Sequence, residues 1–166
     1  MGFRVSKAHK RFHSEMGKNY GNCRNFQDVW GCFPMNKYAT DLAGICGLFC
    51  GTCPSFPEEC GGCLSNRVAA KCVECRHGFR SCAKEKGATR CYECSDFPCK
   101  RLEDFIPVHV VNDIVHHENV IKDLLLMKEI GVQNWVDKQV ETHMCAACGE
   151  MIYWHETRTH TCRIRK

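Results

Sequence analysis

Eleven cysteines fall within residues 44–99, a stretch in which Ile45, Leu48, Leu64, Val68 and Val73 are the whole supply of leucine, isoleucine and valine. Ordering the backbone costs about 1–2 kcal/mol per residue, and five aliphatic side chains bury too little area to offset that over 56 positions. The segment must therefore fold around something other than an apolar core. Across all 166 residues there are sixteen cysteines, above the density of about 8–10% at which a short chain reads as cross-linked or metal-bound. The length admits one ordinary domain or two small ones, and excludes a complete α/β barrel of about 250 residues.

Cross-links and metals are separated by redox compartment. Met1 to His13 reads MGFRVSKAHKRFH, with no run of about 7–15 apolar residues to serve as a signal core. The densest apolar cluster, Leu124 to Met127, is far below the 18 or so residues of a membrane span. The expectation is a cytoplasmic chain without a membrane span, whose thiols stay reduced, so that repeated Cys-x-x-Cys pairs point to metal or redox chemistry. Met1-Gly2 with Ser6 also fits the loose N-myristoylation pattern, but that pattern is short and common by chance.

Charge and cysteine density divide the chain. The formal net charge is +4, with residues 1–40 at +5, residues 155–166 at +3 and the segment between them at −4. Residues 1–40 read as an irregular basic and aromatic arm, in which Phe12, Tyr20, Phe26, Trp30 and Phe33 favour docking against a surface. Residues 41–106 form a cysteine-rich metal-binding module. Residues 107–144 read as a helical spacer, with Asp113 as N-cap, a stripe through Ile114, Ile121, Leu124 and Leu125, a stop at Gly131 and a second short helix over Asn134 to Thr142. Residues 145–166 read as a zinc-ribbon-like module. The expected fold class is a small metal-stabilised α+β protein of irregular cysteine-rich module, helical spacer and closing ribbon.

The closing group is Cys145-Ala-Ala-Cys148-Gly149, followed by His155, His160 and Cys162. Two cysteines spaced by two residues before a glycine turn backbone amides toward the sulfurs. Cys162 is the third ligand and His160 or His155 the fourth, a Cys₃His zinc site, with Met151 to Trp154 as the intervening strand. The candidate set is Cys145, Cys148, His160 and Cys162.

The central module holds the pairs Cys50/Cys53, Cys60/Cys63, Cys72/Cys75 and Cys91/Cys94, with Cys46, Cys82 and Cys99 outside them. Pairs alone suit Cys₄ zinc sites. Cys46, Cys50 and Cys53 before Pro54, and Cys91, Cys94 and Cys99 with Pro98 just ahead of the last, instead resemble the crowded runs that wrap iron-sulfur cubanes. Two [4Fe-4S] clusters would use eight of the eleven thiols. Zinc is the alternative, because thiolates suit both metals. Cys46, Cys50 and Cys53 also share the spacing of radical S-adenosylmethionine enzymes, but Thr52 replaces the usual aromatic and the chain is too short for the cofactor's barrel.

The run CGLFCGTCPSF, then CGGC, FRSCAKEKG, CYECSDFPC, the helical ENVIKDLLLMKEIGVQNWVDKQ and the closing CAACGEMIYW resemble the cysteine-rich prokaryotic family called domain of unknown function 3795, over about Ala43 to Cys162. The resemblance implies a small metal-binding protein of bacteria or archaea and no established reaction. The arm with Cys23 and Cys32 lies outside it, as does the Cys72 and Cys75 spacing.

The favoured reading is an iron-sulfur accessory or electron-transfer subunit docking on a larger protein partner, with structural zinc at the C-terminus. The alternative is a zinc-only adaptor; nucleic-acid binding through the basic ends is third. An enzyme in its own right is not expected. His116-His117-Glu118 is read as an exposed helix turn whose histidines diverge and cannot easily share a metal.

Overall fold

A computed structural model describes residues 40–73 and 75–162. The arm ahead of Thr40, with Cys23, Cys32 and the acylation pattern, lies outside the described residues. Among them the protein is a small mixed fold of short helices, 3-10 turns and one two-stranded sheet.

The cysteine-rich segment is mostly turns. It opens with a 3-10 turn at Thr40–Leu42 and a second at Cys50–Thr52, followed by α1 (Ala70–Val73) and α2 (Phe79–Glu85). A third 3-10 turn, Cys91–Glu93, leads to α3 (Lys100–Phe105), whose buried residues are Leu102 and Phe105. After α3 the chain makes a hairpin of β1 (Val110–Val111) and β2 (Ile114–Val115), antiparallel with Val110 opposite Val115 and Val111 opposite Ile114. Two longer helices follow, α4 (Val120–Ile130) and α5 (Val132–His143), and a 3-10 turn at Trp154–Glu156 lies in the closing segment.

The spacer therefore begins differently from its sequence reading. Asp113 is not a helix cap: Asn112 and Asp113 have φ of 51° and 60°, the left-handed pair required by a two-residue hairpin turn. The helix starts only at Val120. Val-Val-Asn-Asp-Ile-Val is a strand-turn-strand pattern whose β-branched residues favour the pleat. Gly131 does end α4. Its φ of 84° and ψ of 152° suit glycine alone, and the two helices meet there. The strand expected over Met151 to Trp154 is absent among the described residues; a single bridge joins Met144 to Met151, and Trp154 enters a 3-10 turn.

The core lies where α4 and α5 meet α3 and the cysteine loops. Trp135, Leu102, Leu124, Met127, Val120 and Val136 are its fully buried side chains, and Ile45, Phe49, Phe79 and Phe105 join the same cluster. Phe49 meets the Trp135 ring edge-on at 6.1 Å. Trp135 Nε1 donates to Asp123 Oδ1 at 3.2 Å, giving the buried indole its partner. Gly47, with φ of 94°, lies so close to α4 that a Cβ there would stand 2.5 Å from the Val120 carbonyl oxygen. The first cysteine loop is thus pressed onto the helical layer.

His116 and His117 are also placed differently from expectation. They occupy the turn leaving β2, not a helix, and His117 is buried. His116 N donates to His109 O at 2.9 Å, extending the hairpin by one pair. Burial, followed by the neighbouring His117 and His109, pushes the His116 imidazole down to about 3.

Candidate metal centres

Cys46 sits at the tip of a tight loop. Ala43 bridges Phe49, and Gly44 N donates to Leu48 O at 2.8 Å, so the loop returns at once and leaves Cys46 buried against the core. The chain then enters a knuckle in which Cys53 N donates to Cys50 O at 3.0 Å and Phe56 N to Cys53 O at 3.0 Å. The same geometry recurs 41 residues later, where Cys94 N donates to Cys91 O at 3.1 Å and Phe97 N to Cys94 O at 3.2 Å. Both knuckles carry a 3-10 turn, and both end in a cis peptide bond, Phe56-Pro57 and Phe97-Pro98. The underlying sequence signal is Cys-x₂-Cys-x₂-Phe-Pro, present twice. Pairing cysteines by spacing alone misses it, because the Phe-Pro lies outside the pair.

The two knuckles are joined directly. Cys91 N donates to Ile45 O at 3.0 Å, which sets the residue beside Cys46 against the start of the second knuckle. The buried Arg90 guanidinium donates to Thr40 O at 3.0 Å, tying the same join to the first turn.

Around the first knuckle the thiols crowd one another. Burial first, then the charge of Cys63, pushes Cys46 well above the ordinary thiol range, with Cys50 and Cys91 adding to it. Cys50 is likewise raised by burial and then by Cys63, with Cys53 and Cys60 contributing. Cys72 rises to about 11, again through burial and then Cys53, Cys60 and Cys63. Cys46, Cys50, Cys53, Cys60, Cys63 and Cys72 thus feel one another's charge, and Cys91 is linked to the same set through Cys46 and Cys63. The Cys60/Cys63 turn is held by Gly61 N donating to Arg67 O at 2.7 Å, by Arg67 Nη2 donating to Pro57 O at 2.7 Å, and by Arg80 donating to Cys63 O.

The second knuckle faces Cys99 and Cys82. Cys91 is pushed up to about 12 by burial, then by Cys99, Cys82 and Cys94, and lastly by Cys63 beside the first knuckle. Cys82, Cys91, Cys94 and Cys99 line one small cavity, with Phe79, Ala83, Ala88 and Phe97 as apolar walls and Lys86 and Arg101 also lining it. Its free space is about 20 Å³, close to that of a single water-sized sphere.

Gathering thiolates in a dry site is unfavourable unless a cation neutralises them. The raised thiols are the signature of that unfavourable state, and a thiophilic metal or cluster is the group whose binding relieves it. The donor set fits such a group: sulfur only, apolar walls and two positive side chains, Lys86 and Arg101, nearby.

The closing segment builds a separate centre. Cys145 N donates to Glu150 O and Gly149 N to Cys145 O, both at 2.8 Å, with Gly149 at φ of 70°. The 3-10 turn at Trp154–Glu156 then turns the chain back, and His160 N donates to Glu156 O at 2.8 Å. Cys145, Cys148, His160 and Cys162 thereby bring their ligand atoms within 4.8 Å of one another. Cys148 Sγ stands 3.4 Å from His160 Nε2, and Cys145 Sγ 3.2 Å from Cys162 Sγ. Tetrahedral zinc with bonds of about 2.3 Å to sulfur and 2.0 Å to nitrogen sets such pairs about 3.5–3.8 Å apart, so these donors fit after a small opening. Cys145 is pulled down to about 6 by the backbone amide of Cys148 and by Cys162, whereas Cys162 rises to about 11 through its contact with Cys145. His155 lies apart from this group, 3.9 Å from Glu156 and stacked with Tyr153.

Residues 42–104 match the family model described as protein of unknown function (DUF3795). No curated protein and no solved structure matches the chain. The DUF3795 segment contains both knuckles and all eleven central cysteines. It is shorter than the resemblance drawn from sequence, which ran on to Cys162: the hairpin, α4, α5 and the closing Cys₃His group lie beyond the DUF3795 match. Among the described residues, no helix is long and apolar enough to cross a membrane.

Proposed function

We propose that the chain is a small iron-sulfur protein acting as an accessory or electron-transfer subunit, with a structural zinc in a ribbon-like module at its C-terminus. The recurrence of one knuckle carries this reading. Cys50/Cys53 and Cys91/Cys94 hold the same backbone geometry and each faces further thiols, as expected of two sites for one kind of cofactor. Cys82, Cys91, Cys94 and Cys99 would hold one cluster. The other would draw on Cys46, Cys50, Cys53, Cys60, Cys63 and Cys72, with Cys75 assigned to neither. A donor set made of sulfur alone suits such clusters.

When bound, such clusters exchange single electrons. The protein's contribution is to neutralise and shield them: Phe79 and Phe97 limit water, and Lys86 and Arg101 supply positive charge beside the second site. A carrier of electrons needs a donor and an acceptor, which is the chemical reason for a larger partner. Residues 41–106 would form the redox module, 107–144 the spacer and 145–166 the zinc module, with the arm over 1–40 available for docking.

A zinc-only adaptor is the second reading, favoured by the size of the cavity among Cys82, Cys91, Cys94 and Cys99, which suits one ion. Iron, zinc and acid-labile sulfide counted on protein purified without air separate the two. The expected result is brown protein absorbing near about 400 nm with several irons and matching sulfide per chain. Colourless protein holding zinc alone overturns the electron-transfer reading.

A further inference from the structure

Outside the thiol groups, a second kind of ligand set is assembled where the hairpin meets the closing segment. His109 precedes β1 and His116 follows β2, and the hydrogen bond from His116 N to His109 O makes them cross-strand neighbours. The turn after β2 then swings His117 to the same place, so that one ring nitrogen from each of His109, His116 and His117 lies within 4.8 Å of the others. Their ring centroids are 4.9–5.6 Å apart.

The surrounding contacts prepare these rings for a cation. His117 Nδ1 lies 2.9 Å from the Phe105 carbonyl oxygen, and the ring stacks on Phe105 at 3.7 Å. A carbonyl can only accept, so Nδ1 carries the proton and Nε2 presents its lone pair. This is the arrangement by which proteins fix a metal-binding imidazole. His116 is clamped by stacking on Trp154 at 4.1 Å and 12°, and its buried Nδ1 has no hydrogen-bond partner among the described residues. A buried ring nitrogen without a partner is costly and calls for a ligand. His109 is exposed, which gives the group a solvent side.

We propose that His109, His116 and His117 form a further metal site, taking one divalent first-row cation of the zinc type through three neutral imidazoles and leaving one coordination position open to solvent. Imidazole suits zinc and its neighbours, and three protein ligands with an open position is the arrangement of metal sites that bind water or substrate. The site is chemically distinct from the thiolate centres, since it contains no sulfur, and does not depend on which metal they hold. It also couples the closing module to the hairpin, because Trp154 stacks on His116 and lies 4.8 Å from the His109 ring.

The test uses the full chain, saturated with zinc without air, desalted and counted for metal, in wild type and His109→Gln. His109 is exposed, so this change spares the core contacts that His117→Gln would disturb. Cysteines shielded from alkylation are counted in parallel to report on the thiolate centres. The expected result is one zinc fewer per chain in His109→Gln with the same number of shielded cysteines. Equal zinc in both proteins overturns the proposal, as does a loss of zinc accompanied by newly reactive cysteines.

Discussion

At the level of single residues, the candidate metal ligands are thiols whose acidities are pushed in opposite directions. Cys46, Cys50, Cys72 and Cys91 are raised mainly by burial, while Cys145 is pulled down by backbone amide donors. A ligand must shed its proton to bind metal. Cys145 is therefore the thiolate ready at neutral pH, and it becomes protonated as pH falls through about 6. Zinc held by the closing centre should accordingly survive a chelator at pH 7.5 and be lost at pH 5. The number of zinc ions retained after dialysis measures this; Cys145→Ser should lack that zinc at both values. The identities of these residues are legible in the sequence, because Cys-x-x-Cys followed by glycine has a fixed local geometry. The choice of His160 over His155 was not. It depends on how the turn at Trp154–Glu156 directs the chain, which sends His160 to Cys148 and leaves His155 beside Tyr153.

Elements show the limit of local patterns. Trp135 and Val136 face inward on α5, and Gly131 ends α4, as periodicity and glycine placement imply. The hairpin was hidden because Asn112 and Asp113 serve equally well as helix caps or as left-handed turn residues, and only the pairing of Val110 with Val115 decides between them. Two glycines with positive φ separate backbone strain from close packing. At Gly131 nothing among the described residues lies within 4 Å of an added Cβ, so Gly131→Ala should cost about 1–3 kcal/mol from its φ alone. At Gly47 the same strain is joined by the Val120 carbonyl oxygen at 2.5 Å and by Leu124 Cγ at 2.9 Å. Gly47→Ala should therefore lower the thermal midpoint more than Gly131→Ala and also reduce metal in the first cysteine group. Thermal melts with metal counts on both variants measure the difference; equal losses would remove the role given to close approach.

For the described residues taken together, the cysteine loops and the core are packed as one structure. Phe49, next to Cys50, packs against Trp135 and stacks on His143, and Ile45, next to Cys46, belongs to the same cluster as Leu124. Stripping the metals under reducing conditions should therefore unfold more than the cysteine loops. The near-ultraviolet signal of the buried tryptophans should be lost together with resistance to protease across α4 and α5. A tryptophan signal that persists after complete metal removal would show that the helical layer stands without the loops. The sequence by itself pointed to metal in segment 44–99, because its cysteines are many and its aliphatic residues few, and the residue types pointed to sulfur ligands there. The tertiary structure decided the grouping. Cys82 joins Cys91, Cys94 and Cys99 across one cavity, the second knuckle is set against Ile45, and three histidines from a hairpin and its exit turn converge. Spacing constrains only ligands close along the chain, whereas these sets are closed by turns and by packing onto α4, interactions that no local pattern records.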